Sequence, residues 1–166
     1  MTEVRKMTRI PKILILIIAS LLIIGQSQAM SAQRFATVKN IQGKVEVLKN
    51  GKEWQLAKEG MTLHMNDEIR TWEKSFVELL LDEKGATGRL EVKQNTRMRL
   101  NTLEVNKKGE KKTLLDVAIG RVMVHVQKLK GDSKFEVKTP TSTMGVRGTV
   151  FEVIVKDNEA QGSVNK

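Results

Sequence analysis

The chain has no cysteine, no tyrosine and only two prolines, Pro11 and Pro140, and its aromatic residues amount to 4%. Without cysteine there is no disulfide framework and no thiolate metal site, so the folded part must rest on packing alone. With so few aromatics, a stacking platform for single-stranded nucleic acid is poorly supplied. The only histidines are His64 and His125. Neither has a second ligand at metal spacing, so no metal site is expected. The acid pairs Asp67-Glu68 and Asp82-Glu83 lack the Asp-x-Asp-x-Asp-Gly spacing of a calcium loop and read as solvated turns. Ser142 lies in no Gly-x-Ser-x-Gly elbow, and no glycine-rich phosphate loop ends in lysine. The sequence therefore predicts no enzyme and no cofactor.

What is present begins with a three-part leader. Arg5, Lys6, Arg9 and Lys12 precede an apolar run from Ile13 to Ile24 that only Ser20 interrupts, and Gly25-Gln26 ends it. Ser27-Gln28-Ala29 supplies small residues where a signal peptidase reads. Residues 1–29 are thus expected to be a signal peptide cleaved after Ala29, with Ala32 as a second site. The run is shorter than the roughly 20 residues a membrane-spanning helix needs, so no integral span is expected after cleavage. A retained short anchor is the rival reading. No cysteine follows the run, which excludes a lipid-modified N-terminus. Four basic residues and one acidic residue fall in 1–29, so residues 30–166 keep 25 basic and 18 acidic side chains, a formal charge of +7. That length suits one domain with a real core.

Beyond the leader, helical periodicity is weak. Short runs alternate apolar and polar residues between Gly, Asn and Asp, the pattern of an all-β protein. About ten short strands are expected in a compact antiparallel sandwich or roll. The clearest element is Lys44–Leu56, where Asn50-Gly51 separates two alternating runs. Asn-Gly favours a type I′ two-residue hairpin turn, because both central residues need positive φ. A two-residue loop pairs Val47 with Trp54 and Val45 with Leu56, and puts all four on one buried face. Phe76–Leu81 reads as a buried strand, and Gly120 as a break between Leu115–Ile119 and Val122–Val126. Gly43-Lys44-Val45-Glu46-Val47 loosely repeats in Gly120-Arg121-Val122-Met123-Val124.

The most specific stretch is near the end. Phe135-Glu136-Val137-Lys138-Thr139-Pro140 leads through small residues to Gly145-Val146-Arg147-Gly148-Thr149-Val150-Phe151. Together with Gly43–Val47, Trp54-Gln55-Leu56, Gly60–Leu63, Asn66–Thr71, Ser75–Leu79 and Leu115–Val122, this series resembles the FecR family over roughly residues 36–155. The resemblance implies an envelope-located all-β domain for sensing or protein contact, with no catalytic residues to carry over. Two departures shape the expectation. Few residues precede the apolar run, too few to hold a sigma factor, so the chain looks like a free-standing exported version that would signal only through a partner. Relatives also continue past the last strand. Here Asp157-Asn158 turns toward Gly162-Ser163-Val164 and the sequence stops at Lys166, so the C-terminus is expected to be truncated. Phe151–Val155 would then have an unpaired edge able to self-associate.

Within the signature, Thr139 and Pro140 are expected at a strand end, since proline lacks the ladder N–H. Gly145 and Gly148 permit a turn around Val146 and Arg147, with Thr149 re-entering a strand. Arg147 has two readings: a fork presented to a carboxylate or phosphate, or a partly buried strut tied to carbonyls and one acid. Architecture is favoured, because an unpaired charge between core strands is costly. Lys107-Lys108, Lys111-Lys112 and Lys128-Lys130-Lys134 make basic clusters. Possible partners are therefore an envelope protein or an anionic surface polymer; nucleic acid is not expected after export.

Overall fold

The computed structural model describes residues 33–156. The expected signal peptide with its Ala29 cleavage point, and the expected turn after Asp157, lie outside the described residues. Among the described residues there are twelve strands: β1 Ala36–Gln42, β2 Val45–Leu48, β3 Trp54–Leu56, β4 Thr62–Leu63, β5 Glu68–Thr71, β6 Phe76–Leu81, β7 Gly88–Val92, β8 Thr96–Val105, β9 Lys111–Val126, β10 Lys134–Lys138, β11 Thr143–Val146 and β12 Val150–Val155. Among the described residues the only helical piece is a 3-10 turn at Glu83–Gly85, so the all-β class holds. The strands form one curled sheet in the order β3-β2-β5-β8-β9-β7-β6-β1-β4, extended by β10, β11 and β12 along the far edge of β9. Every pair is antiparallel except β9 with β10, which run parallel from Lys112↔Lys134 to Asp116↔Lys138.

The core explains the curl. β1, β6, β7, the second part of β9 and β12 make one half; β2, β3, β5, β8, the first part of β9, β10 and β11 make the other. Alternate residues of both halves meet in a single cluster. Val38, Val77, Leu79, Leu90 and Val124 come from the first half, and Val47, Ile69, Leu100, Leu115 and Phe135 from the second. Each such side chain contributes on the order of 1.5–3 kcal/mol by leaving water.

Two corners carry the chain between halves, and they are built alike. At one, Gly43 (φ +69) separates β1 from β2; at the other, Gly120 (φ +103) bends β9 without ending it. The amide of Lys44 donates to Ser75 Oγ at 2.9 Å, and the amide of Arg121 donates to Thr96 Oγ1 at 2.9 Å. Ser75 and Thr96 each follow a residue at positive φ, Lys74 (53°) and Asn95 (52°). Trp72 N–H donates to Lys44 O at 3.2 Å, and Lys93 N–H to Arg121 O at 3.0 Å. The loose internal repeat is thus a repeated corner. Neither glycine has room for a side chain. A Cβ on Gly43 would stand 2.8 Å from Lys74 O, and one on Gly120 would stand 2.6 Å from Asn95 O.

The hairpin departs from the expected register. Asn50 (φ 52) and Gly51 (φ 66) do adopt the turn, and Lys52 N–H donates to Lys49 O at 3.1 Å. The strands, however, pair Leu48↔Trp54, Val47↔Gln55 and Glu46↔Leu56. One extra residue, Glu53, enters between turn and strand. Such a bulge inverts the faces of everything after it. Val45 and Val47 are buried, but Trp54 is half-buried and Leu56 is 61% exposed on the outer surface.

Asp82 is also not a solvated turn residue. It is buried and sits at the end of β6, where its carboxylate accepts Arg34 Nε (2.9 Å) and Nη2 (3.1 Å), Lys111 Nζ (2.8 Å) and the Thr87 hydroxyl. Arg34 Nη1 donates onward to the carbonyls of Glu104 (3.2 Å) and Lys112 (2.8 Å) and to Thr113 Oγ1 (3.0 Å). One guanidinium therefore ties β6 to the adjoining ends of β8 and β9. Asp67, equally buried, accepts the amides of Asn50 and His64, both at 2.9 Å.

Gly120→Ala should cost about 3 kcal/mol or more, through backbone clash and left-handed strain together. Gly51→Ala, with nothing within 4 Å of the new Cβ, should cost about 1 kcal/mol of strain alone. Urea unfolding reads both, and equal losses would refute the corner account. Acid should destabilise the fold through Asp82 and Glu68. Burial raises the pKa of each, but hydrogen bonds from Arg34, Lys111 and Thr87 at Asp82, and from Arg99 and Arg97 at Glu68, outweigh it and hold both below the ordinary value. A depressed folded pKa gives stability that is complete above the unfolded value of about 4 and lost as pH falls through the folded value. The melting temperature should stay level down to about pH 5 and fall below about pH 4. Asp82→Asn should reduce stability at neutral pH by about 3 kcal/mol, because Arg34 is left buried without its counter-charge, and should flatten the acid slope.

Candidate functional site

The signature segment stands at the sheet margin. β10 ends at Lys138, and Thr139–Ser142 makes a tight turn. Thr139 N–H donates to Ser142 O at 2.8 Å, and Ser142 N–H to Thr139 Oγ1 at 3.1 Å. Pro140 follows the strand end, as expected. β11 then pairs with β10 alone, from Lys138↔Thr143 to Phe135↔Val146. From Pro140 to Val150 every residue is exposed except the half-buried Val146. Gly148 takes φ +66, and a Cβ there would stand 3.0 Å from Lys128 Cα, so backbone geometry requires glycine. Gly145 lies within β11, not at a turn, with nothing within 4 Å of a would-be Cβ.

The segment separates two grooves. One, of about 720 Å³, is lined by Ile119, Pro140, Ser142, Met144 and Ile154. The other, of about 660 Å³, is lined by Ser133, Phe135, Gly145, Val146 and Arg147. Thr139 and Pro140 thus face one groove and Gly145, Val146 and Arg147 the other; Thr149 lines neither. Arg147 is not held between core strands. It is exposed, and its Nη2 donates to Gly131 O at 2.8 Å. Among the described residues it has no carboxylate partner. β12 pairs with β9 alone, from His125↔Val150 to Gly120↔Val155.

A second surface was not foreseen from the sequence. The displaced hairpin brings Trp54 onto the outer side of β3, β2, β5 and β8. There the Arg70 guanidinium lies 3.9 Å from the Trp54 ring centre and 5.2 Å from that of Trp72. Lys44 Nζ is 4.8 Å from the Trp72 ring, and Arg97 is 5.7 Å from Trp54. Glu46 accepts Arg70 Nε (2.7 Å) and the Trp72 indole N–H (2.8 Å). The indole hydrogen bond, ahead of Arg70 and Lys44, holds the Glu46 pKa below its ordinary value. Glu68, buried, is shared by Arg97 at 2.9 Å and by Arg99. Arg70-x-Trp72 and Arg97-x-Arg99 were the available signal, since period two puts each pair on one face.

His125 Nε2 lies 3.3 Å from Glu91 Oε1. Among the described residues no three His, Asp or Glu side chains are placed to hold a metal ion.

A family model described as FecR protein matches residues 67–166, more than half of the sequence. The chain belongs to the FecR family. Searches of curated proteins and of solved structures found no match. The matched region of this FecR-family chain takes in β5 to β12 and the whole signature, whereas the resemblance read from the residues reached back to residue 36. Membership supports a signalling-related module of a kind typically associated with the envelope. No helix among the described residues is long and apolar enough to cross a membrane.

Arg147→Ala should change stability by no more than about 1 kcal/mol, the net value of one hydrogen bond to a carbonyl. A thermal melt checks this. A loss of several kcal/mol would restore the buried-strut reading of this arginine.

Proposed function

We propose that the protein is a non-enzymatic contact module of the cell envelope, exported by its leader, which passes a signal by binding a partner protein through the β10–β11 margin. One observation carries the reading: within the most family-specific stretch, every residue from Pro140 to Val150 except Val146 is exposed, although Phe135, Val137 and Thr139 before it are buried. Residues that serve only packing are found inside, and a surface segment flanked by two grooves is what a partner can read. Export is supported by the basic n-region, the apolar run and the small residues ending at Ala29. A non-enzymatic role is supported by the absence from the sequence of any nucleophile elbow, phosphate loop or paired catalytic acids. Regulation of a sigma-factor system through a separate membrane partner is one form such a relay can take.

Expression from the natural leader, followed by cell fractionation and intact mass, should place the protein in the envelope with residues 1–29 removed. Recovery of the intact chain from the cytosol would end the export reading. Capture from envelope extract should retain one defined partner, and Arg147→Ala with Met144→Ser should release it while leaving the melting temperature near that of the parent. Undiminished capture by that variant would move the contact elsewhere on the fold.

A further inference from the structure

We propose that the outer face of β2, β3, β5 and β8 docks on an anionic lipid surface. The inference rests on the envelope placement proposed above.

The face carries more cation than its own carboxylates neutralise. Lys44, Arg70, Arg97 and Arg99 share only Glu46 and Glu68. Arg70 stands directly opposite Arg97 in the β5–β8 ladder, an arrangement of like charges that weakens a sheet by itself. The outer face of the other half is different. There Arg89, Lys93 and Arg121 are matched by Glu78, Glu91 and Glu152. The two outer faces therefore differ in charge balance: four cations share two carboxylates on this one, whereas three cations meet three carboxylates on the other.

The same face holds both tryptophans of the chain and the exposed Leu56. Their arrangement selects among anionic partners. Each indole has a guanidinium or ammonium against its ring, which opposes stacking on a sugar. The surface is four adjacent strands wide, about 14 Å, while the grooves flanking β11 lie beside other strands. A sheet face with protruding Leu56 and Trp72 and half-exposed guanidinium groups suits a plane of phosphates over an apolar layer. Tryptophan settles at such interfaces with its ring in the headgroup region. Arginine forks bind phosphate bidentately, and anionic headgroups attract basic side chains within about one Debye length.

The test uses the only fluorophores the chain has. With no tyrosine, and with Trp54 and Trp72 both on this face, intrinsic emission reports the face alone. The full chain also carries the apolar run Ile13–Ile24, which associates with bilayers of any charge. The comparison is therefore between lipid compositions and between variants in the same vesicles. In vesicles of phosphatidylcholine and phosphatidylglycerol in equal parts, emission should shift to the blue and be quenched by acyl-chain-brominated lipid. In phosphatidylcholine alone it should do neither. Salt at roughly 0.5 M, where the Debye length falls to about 4 Å, should reverse the shift. Arg97→Gln should weaken the response about fivefold in lipid titration, the effect of one basic residue near a charged surface. Leu56→Gln, at an exposed edge position that leaves the fold intact, should reduce the acyl-chain quenching. Identical spectra in both vesicle types would overturn the proposal, as would a full response in both variants. An equal blue shift with soluble polyglutamate would assign the face to an acidic polymer instead and overturn it too. Because vesicles supply the surface directly, none of these outcomes depends on export or on the β10–β11 margin.

Discussion

The fold depends on a backbone constraint at two points. A sheet of this size cannot close over its own core unless strands pass from one half to the other with their ladders nearly unbroken. At Gly43 and at Gly120 the chain does so by taking positive φ beside a neighbouring connection that also takes positive φ. The amide just beyond each glycine, turned out of its ladder, is satisfied by a hydroxyl from that neighbour. An unsatisfied buried amide would cost about 1–3 kcal/mol, so glycine and hydroxyl act as one device. Serine serves at one corner and threonine at the other. What recurs is the position of an oxygen rather than a residue type, which is why the repeat is faint in sequence and plain in three dimensions.

That constraint also decides how much can be read from the residues. Alternation in β6 and β7 gives the buried set directly, because neither strand changes face; β1 keeps it only as far as Val38, before its register against β6 shifts. β8 and β9 do change face. In β8 the ladder shifts between Leu100 and Thr102, so Leu100 and Leu103 both point inward across an odd spacing. In β9 the inward residues are Leu115 and Val117 before Gly120 and Val122 and Val124 after it. The sequence therefore looks like two strands with a break at Gly120, when one long strand changes phase. β4 and β11, of two and four residues, are too short to show any period at all.

The hairpin shows the same limit with a larger consequence. Turn chemistry is local, and Asn50-Gly51 behaves as its residue types require. Register is not local: Leu48 pairs with Trp54 because β2 is also held by β5, with Leu48↔Glu68 and Val45↔Thr71. Glu53 is then left over, and the tryptophan that composition would send inward goes outward. Buried ions escaped notice for a related reason. Asp82 sits beside Glu83 in a loop-like stretch, yet its partner Arg34 lies 48 residues away. Nothing in local pattern distinguishes a carboxylate that will meet a guanidinium across the fold from one left in water.

The signature divides along this same line between what the fold requires and what it leaves free. Gly148 is held at positive φ close against Lys128, and Thr139 closes its turn with Ser142. These two are explained by the backbone. Gly145 is not: it sits in a strand at ordinary φ, where any side chain would fit. Its neighbour Arg147 adds one hydrogen bond to a loop carbonyl, too little to fix the margin by itself. A glycine that packing does not need still has an effect on the surface, since the missing side chain leaves the backbone of β11 and the groove beside Phe135 and Val146 open to approach. An edge strand with accessible backbone is a surface another chain can pair with or lie against. The half of the motif that stability leaves unexplained is thus the half that contact would use.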